Sequence, residues 1–214
     1  MRKFIEVPAN KYRISNRKKV WGVGINNAPY MIINNGLTCP YVKVWIKMIE
    51  RCLDPNGQEC YKDCYVCKEW LTFMNFRHWM EKQDWETMYL DKDILVLGNK
   101  VYSPNTCVFV TNYVNSLFSL SAKNKSRRLP TGVYFSKRLN KYIVHCNVKP
   151  GAGKYLGVYS SLKEANEVYI KAKAQVLADE FKNISNVRIK NGLYKLILNL
   201  VKENNYKIKI LSHK

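Results

Sequence analysis

Apolar residues first recur at helical spacing from Tyr41: Val44, Trp45, Met48, Ile49 and Cys52 fall three or four apart, and Asp54-Pro55-Asn56-Gly57 then ends the run with turn chemistry. The spacing predicts a helix of about three turns. A second run from Trp70 through Phe73, Met74, Phe76 and Trp79 is aromatic on nearly every side and predicts a core helix packed by large rings. Residues 1–40 mix basic side chains with the turn-rich stretch Gly22 to Pro29, which reads as a short strand or arm with little core of its own. Between residues 88 and 120 the period changes. Ile94-Leu95-Val96-Leu97 is a strand-like apolar run, Gly98-Asn99 a turn, and Val101-Tyr102 followed by Ser103 to Val110 a further strand region. A hairpin and then a short helix from about Thr111 are expected.

Ala122 to Arg128 is basic, polar and without apolar anchors, the composition of a linker that can also order itself on phosphates. Beyond it, Gly132 to Lys137, Lys141 to Lys149 and Tyr155 to Tyr159 alternate, joined by Arg138-Leu139-Asn140 and Pro150-Gly151-Ala152-Gly153. This predicts a three-stranded antiparallel sheet. Ser161-Leu162-Lys163-Glu164 has capping-box spacing, and Leu162, Ala165, Tyr169, Ala172 and Val176 share a helical face able to cover one side of that sheet. The tail from Asn186 alternates weakly and is open between a helix around Leu193 to Val201 and a hairpin. The expected class is α+β, organised as an arm (1–40), a mixed module (41–121), a basic linker (122–130), a sheet-and-helix domain (131–182) and an extension (183–214).

Charge turns this architecture toward a partner. The formal net charge is +20, from 36 basic and 16 acidic side chains. Residues 1–121 carry 16 basic and 11 acidic groups (+5), and residues 122–214 carry 20 and 5 (+15). A polyanion is the first inference; an AT-biased genome also enriches lysine, but does not explain why the excess sits in one segment. No apolar stretch approaches the roughly 18 residues that span a bilayer, and Met1-Arg2-Lys3-Phe4 leads into polar sequence, so a cytoplasmic protein is expected. A membrane surface also matches the charge, but nothing in the C-terminal module has the large apolar face opposite a basic one that interfacial binding needs. Seven cysteines, an odd number without a secretion signal, point to reduced thiols. Cys60, Cys64 and Cys67, with Cys107 or Cys52 as a fourth, have tolerable spacing for structural Zn2+; buried unligated thiols are the other reading.

Gly132-Val133 opening the sheet, Tyr142 in its middle strand, Leu156-Gly157 in its last strand, the serine cap, Glu164-Ala165, Tyr169 and Ala172 resemble the sheet-and-helix DNA-binding domain of plant ethylene-response factors, a module also found in phage homing endonucleases. The resemblance implies that the sheet lies in the major groove of duplex DNA, strand side chains reading base edges and basic neighbours holding phosphates. If the helix covers the face carrying Val133, Val144 and Leu156, then Lys137, Arg138, Lys141, Tyr142, Lys149, Lys154 and Tyr155 are left near the other face or its turns. Arg127 and Arg128 of the linker join them.

Tyr41 to Asn115 resembles phage HNH endonucleases, through Trp45 with Met48 and Arg51-Cys52, Val66-Cys67 with Glu69-Trp70, Leu90-Asp91-Lys92-Asp93-Ile94-Leu95, and Gly98 to Cys107. That resemblance implies an HNH-like ββα module holding one divalent metal, Mg2+, with a histidine as general base for water. Position by position, Asp91 takes the first ligand, Asn105 the loop asparagine and Asn115 the helix ligand. Lys92 stands where the histidine belongs. A lysine beside a metal is protonated at neutral pH and repels the cation unless burial lowers its pKa by several units. His78, His145 and His213 all lie elsewhere in the sequence. Three functions follow: a sequence-reading DNA-binding protein with cleavage reduced or lost, an active metal-dependent HNH endonuclease, or a non-enzymatic phage regulator or counter-defence protein that binds a host protein. Each places the chain in the cytoplasm of a phage-infected bacterium.

Overall fold

The computed structural model describes residues 3–118, 129–149 and 152–203. Within them the chain is mixed α+β, with six α-helices, three two-stranded sheets and one three-stranded sheet. It divides into two compact units, Met1–Val110 and Thr111–Lys214. No described helix is long and apolar enough to cross a membrane.

The first unit runs α1 (Lys11–Ser15), β1 (Ile33–Asn34), β2 (Leu37–Thr38), α2 (Pro40–Leu53), β3 (Tyr65–Val66), α3 (Phe73–Met80), β4 (Tyr89–Asp91), β5 (Val101–Tyr102) and β6 (Val108–Val110). Helix α2 is the one its spacing predicts. Pro40 opens it, where a missing N–H costs nothing, and Val42, Trp45, Met48 and Ile49 are buried along one face. Asp54 stops it by turning extended and accepting the Asn56 N–H at 2.9 Å. The second helix begins later than its aromatic run, at Phe73, because Lys68–Leu71 tightens into a 3-10 turn. Trp70 still reaches the core, its ring 4.5 Å from that of Trp79 and its carbonyl accepting the Trp45 indole N–H at 2.7 Å.

Two expectations change here. The arm is not coreless: from Gly24 to Tyr30 burial alternates, and Asn26, Ala28 and Tyr30 face inward, the last two within the same core as Trp45 and Phe109. Ile94 to Leu97 is not a strand either. The Asp91 carboxylate accepts the N–H groups of Asp93 at 2.7 Å and Ile94 at 2.9 Å, which pulls the chain into a turn directly after β4. Ile94 and Leu95 are then buried from that turn. The antiparallel partner of β4 is consequently β6, with Asp91 opposite Val108, while β5 pairs in parallel with β3.

The second unit runs α4 (Asn112–Phe118), β7 (Val133–Ser136), β8 (Lys141–Lys149), β9 (Ala152–Tyr159), α5 (Leu162–Asn183) and α6 (Val187–Glu203). Helix α4 starts where expected, the Thr111 hydroxyl accepting the Val114 N–H at 3.2 Å. The sheet is antiparallel in the order β7-β8-β9, and Val133, Val144 and Cys146 are buried against Ala165 and Tyr169 of α5. Ser161 stands at the α5 N-cap without a side-chain capping bond, so the capping box is not made. The open tail is helix: α6 buries Ile189, Leu193, Leu196 and Ile197 and packs with α5, which buries Leu177.

Candidate nucleic-acid interface and the Asp91 loop

In a regular strand, residues an even number apart share a face. On β8 that rule puts Tyr142, Val144 and Cys146 under α5 and leaves Lys141, Ile143, His145 and Asn147 on the uncovered side. Tyr142 therefore packs into the covered layer, 5.2 Å ring to ring from Phe135 directly opposite it, and is not on the open face where the sequence reading placed it. On β9 the rule is broken once. Val144 pairs with Gly157 but His145 pairs with Tyr155, so Leu156 is an extra residue in a β-bulge. Gly157 makes the bulge with φ +126°, a conformation open to glycine, and a Cβ there would also stand 2.8 Å from the Tyr159 hydroxyl.

The bulge decides which tyrosine is offered. Tyr155 and Tyr159, four apart, would share a face in an unbroken strand; here Tyr159 pairs with Tyr142 on the helix side and Tyr155 pairs with His145 on the open side. Tyr134 of β7 completes a cluster, its ring 6.1 Å from His145 at 78°, with Tyr155 5.4 Å from His145 at 60°. Tyr134 is 52% exposed and Tyr155 57%. Among the cationic candidates, Lys141 is exposed at the open-face start of β8, and Lys137 and Arg138 are exposed in the β7–β8 turn. Lys154 is exposed but pairs with Cys146, on the helix side of the register. The Lys149 backbone pairs with Ala152, and Arg127 and Arg128 lie outside the described residues. Tyr134 and His145 were missed by sequence reading. The alternation of 141–147 carried the signal for His145, and that of Val133 and Tyr134 the signal for Tyr134.

The Asp91 loop is a different kind of site. Lys92 is 3% exposed, and its ammonium donates to both Asp93 oxygens at 2.8 Å and to the Asn99 carbonyl at 2.9 Å. Burial pushes its pKa down, but the Asp93 bond and charge, with Cys64 and Asp91 behind them, outweigh burial and raise it. It is a cation, not a base. Asn99 fixes the loop by donating to the carbonyls of Lys92 at 2.8 Å and Val101 at 2.7 Å and accepting the Val101 N–H at 3.1 Å. Asn105, the loop asparagine of the sequence reading, is exposed in a turn closed by the Ser103 and Thr106 hydroxyls, 2.8 Å apart. Asn115 lies on α4, in the second unit. His78 is exposed on α3.

Burial raises the Asp91 pKa, and its Oδ1 is committed to two backbone N–H groups. With a buried ammonium as neighbour, this donor set does not suit a divalent cation. Among the described residues no group of three His, Cys, Asp or Glu side chains is placed to hold a metal. The cysteines are free thiols: Cys60 is exposed and Cys64 buried, while burial raises the Cys67 pKa and pushes that of Cys107 up to about 12. No family model matches the chain, and no curated protein or solved structure matches it significantly.

Proposed function

We propose that this protein binds double-stranded DNA through the open face of the β7–β8–β9 sheet. In this reading Tyr134, His145 and Tyr155 meet base edges, and Lys137, Arg138, Lys141 and the basic segment holding Arg127 and Arg128 neutralise phosphates. The observation that carries it is the exposed ring cluster that the bulge assembles at the centre of the uncovered face, in the part of the chain that carries +15. The ring planes differ by 78° and 60°, so neighbouring rings are not the parallel platforms on which successive unpaired bases stack; this favours a duplex over a single strand. The reading includes kinship with phage HNH homing-endonuclease-like proteins acting in the cytoplasm of the infected bacterium. The chain order β4, β6, α4 supports the first module of that kinship, and the sheet under α5 supports the second. Cleavage is lost in this reading, because a protonated, ion-paired Lys92 stands at the position of the base.

The test is mobility-shift and anisotropy binding to mixed-sequence duplex and single strand, with and without Mg2+, products resolved on a denaturing gel. Duplex retained, weakened by salt and left intact is expected. His145→Ala and Tyr155→Ala should each weaken binding about tenfold, the equivalent of one good base contact, with thermal stability kept. Tyr142→Ala should lower the thermal midpoint instead. Mg2+-dependent fragments overturn the loss of cleavage, tighter binding to single strand overturns the duplex, and no retention favours the host-protein reading.

A further inference from the structure

The first unit holds a second concentration of positive charge that a division of the chain at residue 121 averages away. Residues 1–49 carry nine basic side chains and one acidic, Glu6 (+8), whereas residues 50–110 carry seven and ten (−3). Between Glu6 and Glu50 there is no carboxylate side chain.

This segment is pinned at both ends of its basic run. Arg17 donates to the carbonyls of Ala28 at 2.6 Å, Tyr30 at 2.7 Å and Asn26 at 3.2 Å, and Asn10 accepts the Arg13 N–H at 2.8 Å. Past Lys18 and Lys19, both exposed, Val20 and Gly24 exchange backbone hydrogen bonds of 2.9 and 2.8 Å. The turn they close carries Trp21 at φ 51° and Gly22 at φ 75°. It is seated on α2: a side chain at Gly24 would meet Ile49 Cδ1 at 2.7 Å and Trp45 at 3.0 Å. Left-handed backbone suits glycine and is strained for tryptophan. Burial does not compensate that strain, since Trp21 is 43% exposed, with Val23 and Ile25 exposed after it.

We propose that this pinned turn is a second contact surface for duplex DNA, in which Lys18 and Lys19 neutralise phosphates and Trp21 is an apolar wedge at the groove. The inference rests on the DNA-binding reading above and adds a separate point of attachment. One-signed charge argues for a polyanion. Helix α1 beside it has five residues and no buried face, too short for a helix that lies in a lipid surface.

The experiment titrates full-length wild type, Lys18→Gln/Lys19→Gln and Trp21→Gly into a fluorescent duplex of about 30 base pairs between about 50 and 200 mM salt, and in parallel into phosphatidylserine vesicles. The double variant should flatten the slope of log affinity against log salt by about two and weaken binding about tenfold. Trp21→Gly suits the turn better than tryptophan does, so it should weaken binding several-fold at unchanged slope and with the thermal midpoint held or raised. Wild-type affinity and slope in both variants, with wild type bound, overturn the second surface and leave the sheet reading standing. No binding by wild type overturns both. Loss of binding to phosphatidylserine vesicles but not to duplex reassigns the turn to lipid, and a lowered midpoint in Trp21→Gly makes the indole structural.

Discussion

Lys92 shows how far a residue type carries and where it stops. Its position in sequence says that a lysine replaces a histidine; only the fold says that the lysine is locked to Asp93 and the Asn99 carbonyl and held as a cation. Removing the ammonium while keeping the stem, Lys92→Met, should cost about 1–2 kcal/mol of stability, read as a lower urea midpoint, because it leaves a carbonyl and a half-exposed carboxylate without their donor. The magnitude stays below that of a fully buried pair because Asp93 is 46% exposed. A variant as stable as wild type would show that this triad does not hold the loop. Asn99 was legible only as a turn residue. Its four-way role depends on which carbonyls the turn brings within reach, and sequence spacing does not contain that.

Among the elements, α2, β7, β8 and the start of α4 were legible, because each has a clean period and explicit stop residues, whereas β9 was legible only from Tyr155 and begins at Ala152, within the stretch expected to turn. The strand expected at Ile94 to Leu97 failed because two backbone bonds to the Asp91 carboxylate outcompete an apolar run of four. Tyr142 and Lys154 each stand two residues from one expected under the helix, Val144 and Leu156, so strand alternation alone already puts both on the covered side. Helix α5 carries an anomaly no period predicts. Lys173 is 7% exposed against the buried layer near Cys146, no described residue forms an ion pair with it, and burial lowers its pKa. Lys173→Met should therefore raise stability by about 1 kcal/mol, measured by chemical denaturation, by replacing a buried amine, which no described carboxylate pairs, with an apolar chain of similar length. Destabilisation would mean that the amine has a partner worth keeping.

For the molecule as a whole, the buried acids set the pH response. Burial pushes the thiols of Cys52 and Cys107 from an ordinary 9.0 up to about 12 and moves the phenols of Tyr30 and Tyr102 upward as well. A raised folded-state pKa stabilises below the unfolded value and loses that contribution as pH climbs toward the folded one. Lys173, shifted the other way, gains stability with rising pH and opposes them. The urea midpoint should hold level through neutral pH and fall from about pH 9 upward; a midpoint flat to pH 11 would show that these groups are solvated. Contacts group the chain into two compact units, and the arm and the tail both contribute buried residues that a turn-rich or weakly alternating stretch conceals, while the expected linker lies mostly outside the described residues. The bulge in β9 also bears on how such a surface can change over generations. Substitutions at Tyr134, His145 or Tyr155 alter single contacts, and even losing the codon for Leu156 leaves His145 opposite Tyr155 and Val144 opposite Gly157. Replacing Gly157, whose φ of +126° permits the slip, would instead force β9 into unbroken alternation and put Tyr155 and Tyr159 on one face. Most letters of this face can therefore be retuned one at a time, and the position to be guarded is the glycine that lets the strand slip.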